Sequence, residues 1–193
     1  MTRPLVLLLS LFFYSATIGA ADDSILIAGV FSPARPAPDF SLRASDGTDL
    51  RLSRYRGKVV ALAFGYTSCT AVCPITLSVL AAARKKLDAA ADQVQIVYVT
   101  VDPERDNAER MRQFLHGFDP SFVGGTGTAG QLAAVRADYG ISVSKKIPIP
   151  GGYALNHSSY IYLIDRNGSL RALMPYGHSA DDFAHDMRML LKQ

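Results

Sequence analysis

Cys69 and Cys73 are the chain's only cysteines, with three residues between them in Phe64-Gly-Tyr-Thr-Ser-Cys-Thr-Ala-Val-Cys-Pro-Ile75. An apolar run, Val59 to Phe64, precedes them and a helix-forming run, Pro74 to Leu87, follows. A buried strand turning into a helix sets both sulfurs at the helix N-terminus. There the unpaired backbone N–H groups and the macrodipole favour thiolate over thiol. Pro74 suits the first helical position, where its missing donor is no loss. Two such sulfurs can bond each other and exchange that disulfide, or hold one soft metal ion.

The elements that must position this pair follow from hydrophobic period and turn chemistry. Lys58-Val-Val-Ala-Leu-Ala-Phe64 is apolar on both faces, as a central strand of a covered sheet is. After it, Leu77, Leu80, Ala81 and Leu87 recur at helical spacing. Gln95-Ile-Val-Tyr-Val-Thr-Val101 reads as a second buried strand, ended by Asp102-Pro103. Asp106 with Glu109 predicts a capping box for a helix to about His116, and Thr128 with Gln131 another through Tyr139, closed by Gly140. Ser142 to Pro150 is a Lys/Pro loop without periodicity. Tyr160 to Ile164 and Leu170 to Met174 form a hairpin about Asp165-Arg-Asn-Gly168, and Ser179 with Asp182 caps a last helix. Ahead of the cysteines, Phe40-Ser-Leu-Arg and Asp49-Leu-Arg-Leu make a hairpin, preceded by a proline-bearing irregular lead-in. Strands alternating with helices imply parallel crossovers, and the late hairpin adds antiparallel strands. The expectation is an α/β, thioredoxin-like mixed sheet sandwiched by helices, with an N-terminal β-hairpin extension.

At 193 residues and 49% apolar, the chain suits one domain with a sizeable core. A net charge of +3 without a Lys/Arg block gives no reason to expect nucleic acid. Arg3 precedes an uncharged apolar run from Leu5 to Ile18, then Gly19-Ala20-Ala21 and two aspartates. That is the layout of a secretory signal cut after Ala20 or Ala21. The other reading is an uncleaved anchor, for which the run is short of a span of about 20 residues. The expected divisions are therefore 1–21, signal or anchor; 22–36, irregular lead-in; and 37–193, the folded domain. Export places the cysteines in an oxidising compartment, the periplasm or the periplasmic face of the inner membrane, where an idle pair forms a disulfide.

Three blocks together resemble the Sco/SenC family: Phe64 to Thr76 around the cysteines, Val101-Asp-Pro-Glu-Arg-Asp106, and Asn156-His-Ser-Ser159 before Tyr160-Ile-Tyr-Leu-Ile-Asp165. They occur in family order from about Ala37 to the C-terminus. The resemblance implies a thioredoxin-like, membrane-facing copper protein that assists assembly of the binuclear copper centre of cytochrome c oxidase. It implies Cys69, Cys73 and His157 as the copper ligands. Two thiolates and an imidazole suit Cu(I), a soft ion content with three ligands, with Cu(II) as the second oxidation state to consider. A closed zinc site takes a fourth protein ligand. His157 ends a glycine-containing loop, Ile147 to Asn156, from which a ligand can swing in to capture or release metal. By itself it would read as a surface histidine.

The family block also sets Asp102 and Asp106 beside the site, although a helix cap and a strand terminator explain them equally well. A carboxylate is a poor ligand for Cu(I). Bacterial relatives in the family commonly carry Pro-Asp after the first cysteine, where this chain has Thr70-Ala71. The missing carboxylate removes a charge that opposes thiolate formation, so Cys69 is expected to be more acidic than in those relatives. His116 and His185 read as helix-surface residues, and His178 as a neighbour of the site at most. Met174, Met187 and Met189, with the tyrosines at 153, 160, 162 and 176, read as core and rim.

Two functions compete. One is a copper chaperone that also reduces its target's cysteines; the other is an exported thiol–disulfide oxidoreductase without an obligatory metal, using Cys69 and Cys73 as a redox pair. A peroxidase is disfavoured because Tyr66 stands where the peroxiredoxin motif has proline, and a redox or copper sensor stays open. Because a disulfide binds no metal, a thioredoxin-like reductant is expected beside the copper-binding subunit of the oxidase. Membrane contact is expected only through the N-terminal segment.

Overall fold

The computed structural model describes residues 25–193, so the expected signal or anchor lies outside the described residues. Among the described residues no helix is long and apolar enough to cross a membrane. Strand β1 (Gly29–Pro36) is followed by the hairpin β2 (Ser41–Ala44) and β3 (Asp49–Arg51), then β4 (Val59–Gly65) and helix α1 (Val72–Lys85). β5 (Val94–Thr100), α2 (Ala108–His116), β6 (Val123–Thr126) and α3 (Ala129–Asp138) come next. A small hairpin, β7 (Ile147–Ile149) and β8 (Gly152–Ala154), leads to β9 (Tyr160–Ile164), β10 (Ser169–Pro175) and α4 (Ala180–Leu191).

Eight strands form one mixed sheet in the order β1-β10-β9-β4-β5-β6-β2-β3. β4 pairs with β5 and β5 with β6 in parallel, and the outer pairs are antiparallel. β4 and β5 are buried at every residue, which is why their sequences are apolar on both faces. Helices flank the sheet, α1 packing on α4 and α2 on β6, in the expected thioredoxin-like arrangement. The N-terminal hairpin extends the sheet beyond β6, and the capping boxes of α3 and α4 form as the sequence predicts.

Three expectations are corrected. Residues 29–36 of the lead-in form an edge strand, its two ends paired with β10 and its middle irregular. An edge strand is hydrogen-bonded on one side only, so its prolines are tolerated. β6, Val-Gly-Gly-Thr, lies between the second and third helices where no strand was expected. Its glycines answer to packing: a Cβ on Gly124 would meet Leu115 at 2.9 Å and one on Gly125 would meet Leu50 at 2.7 Å. The Lys/Pro loop contains β7 and ends in the turn to β8.

Candidate metal centre

β4 ends at Gly65 and α1 begins at Val72, so both cysteines sit where the chain leaves the sheet for the helix. Cys73 is the second residue of α1 and buried, and Cys69 is half-buried in the loop before it. Pro74 is thus the third helical residue rather than the first, still within the turn whose N–H groups lack helical partners.

One buried carboxylate fixes this loop. Asp106, fully buried, accepts from the Thr67 backbone N–H at 3.0 Å, from Thr67 Oγ1 at 2.6 Å and from Thr100 Oγ1 at 2.6 Å. Arg110 on α2 donates to Thr67 Oγ1 at 2.7 Å and to Ser68 Oγ at 3.0 Å. Asp106 is therefore not the cap of α2. Asn107 takes that role, accepting from the Arg110 N–H at 2.9 Å and freeing Asp106 to turn inward.

His157 arrives from the opposite side, on the segment after the β7–β8 hairpin. Its main chain bridges to Val143, flanked by Ser144 N–H to the Asn156 carbonyl at 2.8 Å and Ser158 N–H to the Ser142 carbonyl at 3.1 Å. The hairpin is latched by Asp102, which accepts from Arg105 Nε at 2.5 Å and from the Tyr153 hydroxyl at 2.7 Å. Arg105 also donates to the Tyr153 carbonyl at 2.9 Å and stacks 3.7 Å over the Tyr153 ring. Tyr66 joins the two sides: its hydroxyl accepts from Leu155 N–H at 3.2 Å, and its ring meets that of His157 edge-on at 6.0 Å.

His157 Nδ1 lies 2.8 Å from the Ser158 carbonyl oxygen. A carbonyl only accepts, so Nδ1 carries the proton and Nε2 presents its lone pair. That lone pair faces Cys73 Sγ at 3.6 Å. Zinc-like bonds of about 2.3 Å to sulfur and about 2.0 Å to nitrogen, opened to a trigonal angle, separate two ligand atoms by roughly 3.7 Å. The Cys73–His157 pair is therefore spaced for one metal ion. Among the described residues no three Cys, His, Asp or Glu side chains close around one point as they stand. Bringing Cys69 in as a third ligand requires a local adjustment of its loop.

The two sulfurs differ sharply. A hydrogen bond from Cys73 holds Cys69 down at about 5; partial burial opposes this, while the Cys73 and Ala71 backbone N–H groups add to it. The same sulfur–sulfur hydrogen bond, with burial, pushes the Cys73 thiol far up. The reduced pair thus ionises at Cys69 first, and Cys73 keeps its proton.

A family profile described as SCO1/SenC matches residues 31–192. The chain belongs to the SCO1/SenC family. It is 33% identical over 153 residues to the mouse (Mus musculus) protein SCO2 homolog, mitochondrial, an alignment covering 78% of this chain and 60% of that protein. The chain therefore matches well under two thirds of that relative's own length. Among solved structures it is similar to copper-bound ScoI of Arabidopsis thaliana, with a TM-score of 0.76 at 27% identity, covering 81% of this chain and 99% of that one. Copper-bound ScoI of Bradyrhizobium japonicum gives a TM-score of 0.74 at 30% identity, with the same two coverages.

In this SCO1/SenC chain the other candidates fall away from the centre. His178 lines a neighbouring cavity of about 200 Å³ with Ile75, Thr76 and Phe183 and pairs with Asp182 at 3.2 Å. His116 is exposed at the end of α2, and His185 lies beside the buried Asp186. Met174 and Met187 are core, Met189 is half-buried, and Tyr160 and Tyr176 form an exposed rim. The sequence reading did not find Arg110, Tyr66 or the Arg105–Tyr153 latch. Only the polar block after β5, with its two aspartates, signalled them.

Proposed function

We propose that this chain is an exported copper carrier that takes up Cu(I) on Cys69, Cys73 and His157 and passes it to the binuclear copper centre of cytochrome c oxidase. The observation that carries the reading is the Cys73 Sγ–His157 Nε2 approach at 3.6 Å, with the ring turned by the Ser158 carbonyl so that its lone pair meets the sulfur. Similarity to ScoI proteins solved with copper bound supports the same choice of cargo. Cys69 brings a sulfur that is already a thiolate at neutral pH, and Cys73 must give up its proton on binding, so uptake releases a proton. The disulfide form binds nothing, which makes a thioredoxin-like reductant in the periplasm the second partner, beside the oxidase's copper-binding subunit.

The thiol–disulfide oxidoreductase reading is favoured by one specific feature. An acidic, accessible Cys69 backed by a protonated, buried Cys73 is the asymmetry of an attacking and a resolving thiol. Copper content of the reduced domain, measured beside Cys69→Ala, Cys73→Ala and His157→Ala, separates the two. One equivalent in the wild type, lost or weakened in all three variants, is expected. An empty reduced wild type, or full retention without His157, would move the oxidoreductase reading to the front.

A further inference from the structure

Tyr98 lies inside β5, 1% exposed, its ring braced by Phe114 at a centroid distance of 6.3 Å. Its hydroxyl rises beneath the buried sulfur of the site. A methyl group on Gly65 would stand 2.0 Å from the Tyr98 hydroxyl oxygen and 2.8 Å from Cys73 Sγ. The absent side chain at Gly65 is what lets oxygen and sulfur face the same point. Tyr98, Cys73 and His157 also line one small cavity of about 10 Å³. Among the described residues the hydroxyl finds no nitrogen or oxygen partner, and the side-chain hydrogen bond open to it is with Cys73 Sγ. A buried donor left unpaired is destabilising, and a phenylalanine would fill the same volume without that cost. Packing explains the ring but not the oxygen.

We propose that Tyr98 is a positioning residue for Cys73: its hydroxyl donates to this sulfur in the dithiol and metal-bound states and loses that acceptor when the disulfide forms. The proposal rests on the reading of Cys69 and Cys73 as a metal-binding pair gated by oxidation. A thiolate bound to a metal, or a thiol sulfur polarised toward a neighbouring thiolate, accepts a hydrogen bond far better than a sulfur engaged in an S–S bond. Burial keeps the phenol protonated well above its ordinary range, so it remains a donor. The chain of donors then runs from Tyr98 to Cys73 and from Cys73 to the Cys69 thiolate.

Reduction by an external dithiol breaks the Cys69–Cys73 bond with two electrons from that dithiol, which becomes a disulfide. One of its two protons stays on Cys73, and the other is released to solvent as Cys69 becomes a thiolate. Tyr98 favours the reduced side of this exchange.

The test equilibrates the wild type and Tyr98→Phe with a small dithiol–disulfide buffer and measures the oxidised fraction. The variant keeps the ring, so the fold is retained. The expected shift is about tenfold toward the disulfide, a potential about 30 mV more negative, with Cu(I) competition against a chelator weakened in the same direction. Labelling the tyrosines with 3-fluorotyrosine, a stronger donor, moves the wild-type potential upward and leaves that of Tyr98→Phe in place. Equal potentials in wild type and variant, or a fluorotyrosine shift that persists in the variant, would overturn the proposal. A reduced wild type that holds no Cu(I) would instead sink the copper reading, and the comparison of potentials would still stand.

Discussion

The two chain segments that meet at the site are held by different physics. On the cysteine side, one fully buried carboxylate gathers the Thr67 N–H, the Thr67 hydroxyl and the Thr100 hydroxyl. Any one of those groups that lets go leaves this buried charge a hydrogen bond short. On the histidine side, β7 is exposed along its whole length and β8 is nowhere fully buried. Its anchors are serine hydroxyls, one isolated bridge and a latch in which the buried Asp102 holds the half-buried Arg105 and Tyr153. Water can replace the exposed serine contacts. The cysteine loop, pinned at Thr67 with adjustment left to Cys69, is thus the fixed jaw, and the histidine segment is the looser one.

The largest effect that would break this comparison is at Asp106. Asp106→Ala strands two hydroxyls and a backbone N–H around a buried hole, and the expected cost is about 3 kcal/mol of folding stability, read from urea unfolding of the reduced protein. A cost below about 1 kcal/mol would mean that the cysteine loop is not pinned there. On the other jaw, Tyr153→Phe removes only the hydroxyl that donates to Asp102. It is expected to speed copper transfer to a chelator about fivefold, equivalent to about 1 kcal/mol, with the unfolding midpoint nearly unmoved. Unchanged transfer with lowered stability would make the latch a structural contact and nothing more.

The same contrast explains what could be read from the sequence. The fixed jaw hangs on β4, β5 and α1, whose long apolar runs and helical spacing state their structure locally, so the strand-to-helix turn that carries Cys69 and Cys73 was legible, with Cys73 inside the helix and Cys69 in the loop before it. His157 came with its flanking residues rather than from any periodicity, since its segment is held by contacts to Val143, Ser142 and Tyr66 that lie far off in sequence or have no pattern. Asp106 was legible as a polar stop after a strand, but Asp106 and Asn107 are both good caps, and only packing decides which of them turns inward. β6 was invisible for a related reason: its two glycines lower strand propensity and exist because α2 and Leu50 press against them. Tyr98 read as one more apolar position in a buried strand. Nothing in the alternation reveals that its oxygen ends beneath a sulfur.

The finest test of the fixed jaw is the acidity of Cys69 itself. Reduced protein treated with iodoacetamide is expected to lose one thiol with a pH midpoint of about 5, while Cys73 stays unmodified through neutral pH. The sign for stability follows from the depressed value. The reduced protein loses this contribution as pH falls through about 5 and gains it as pH rises toward the ordinary thiol value of about 8.5. Beyond that, the unfolded chain ionises both thiols while the folded one holds the Cys73 proton, so the gain is partly returned. Ala71 is the N-cap of α1 and makes no side-chain cap bond, and its own N–H and that of Cys73 stabilise the Cys69 thiolate. Ala71→Asp puts a like charge beside that thiolate and a carboxylate in competition for the Cys73 N–H. The alkylation midpoint is then expected to rise by about one unit. Equal midpoints would show that the sulfur–sulfur hydrogen bond alone sets the acidity and that the missing carboxylate at position 71 is neutral. A rise that also appears in His157→Ala would show instead that the two jaws share one electrostatic field.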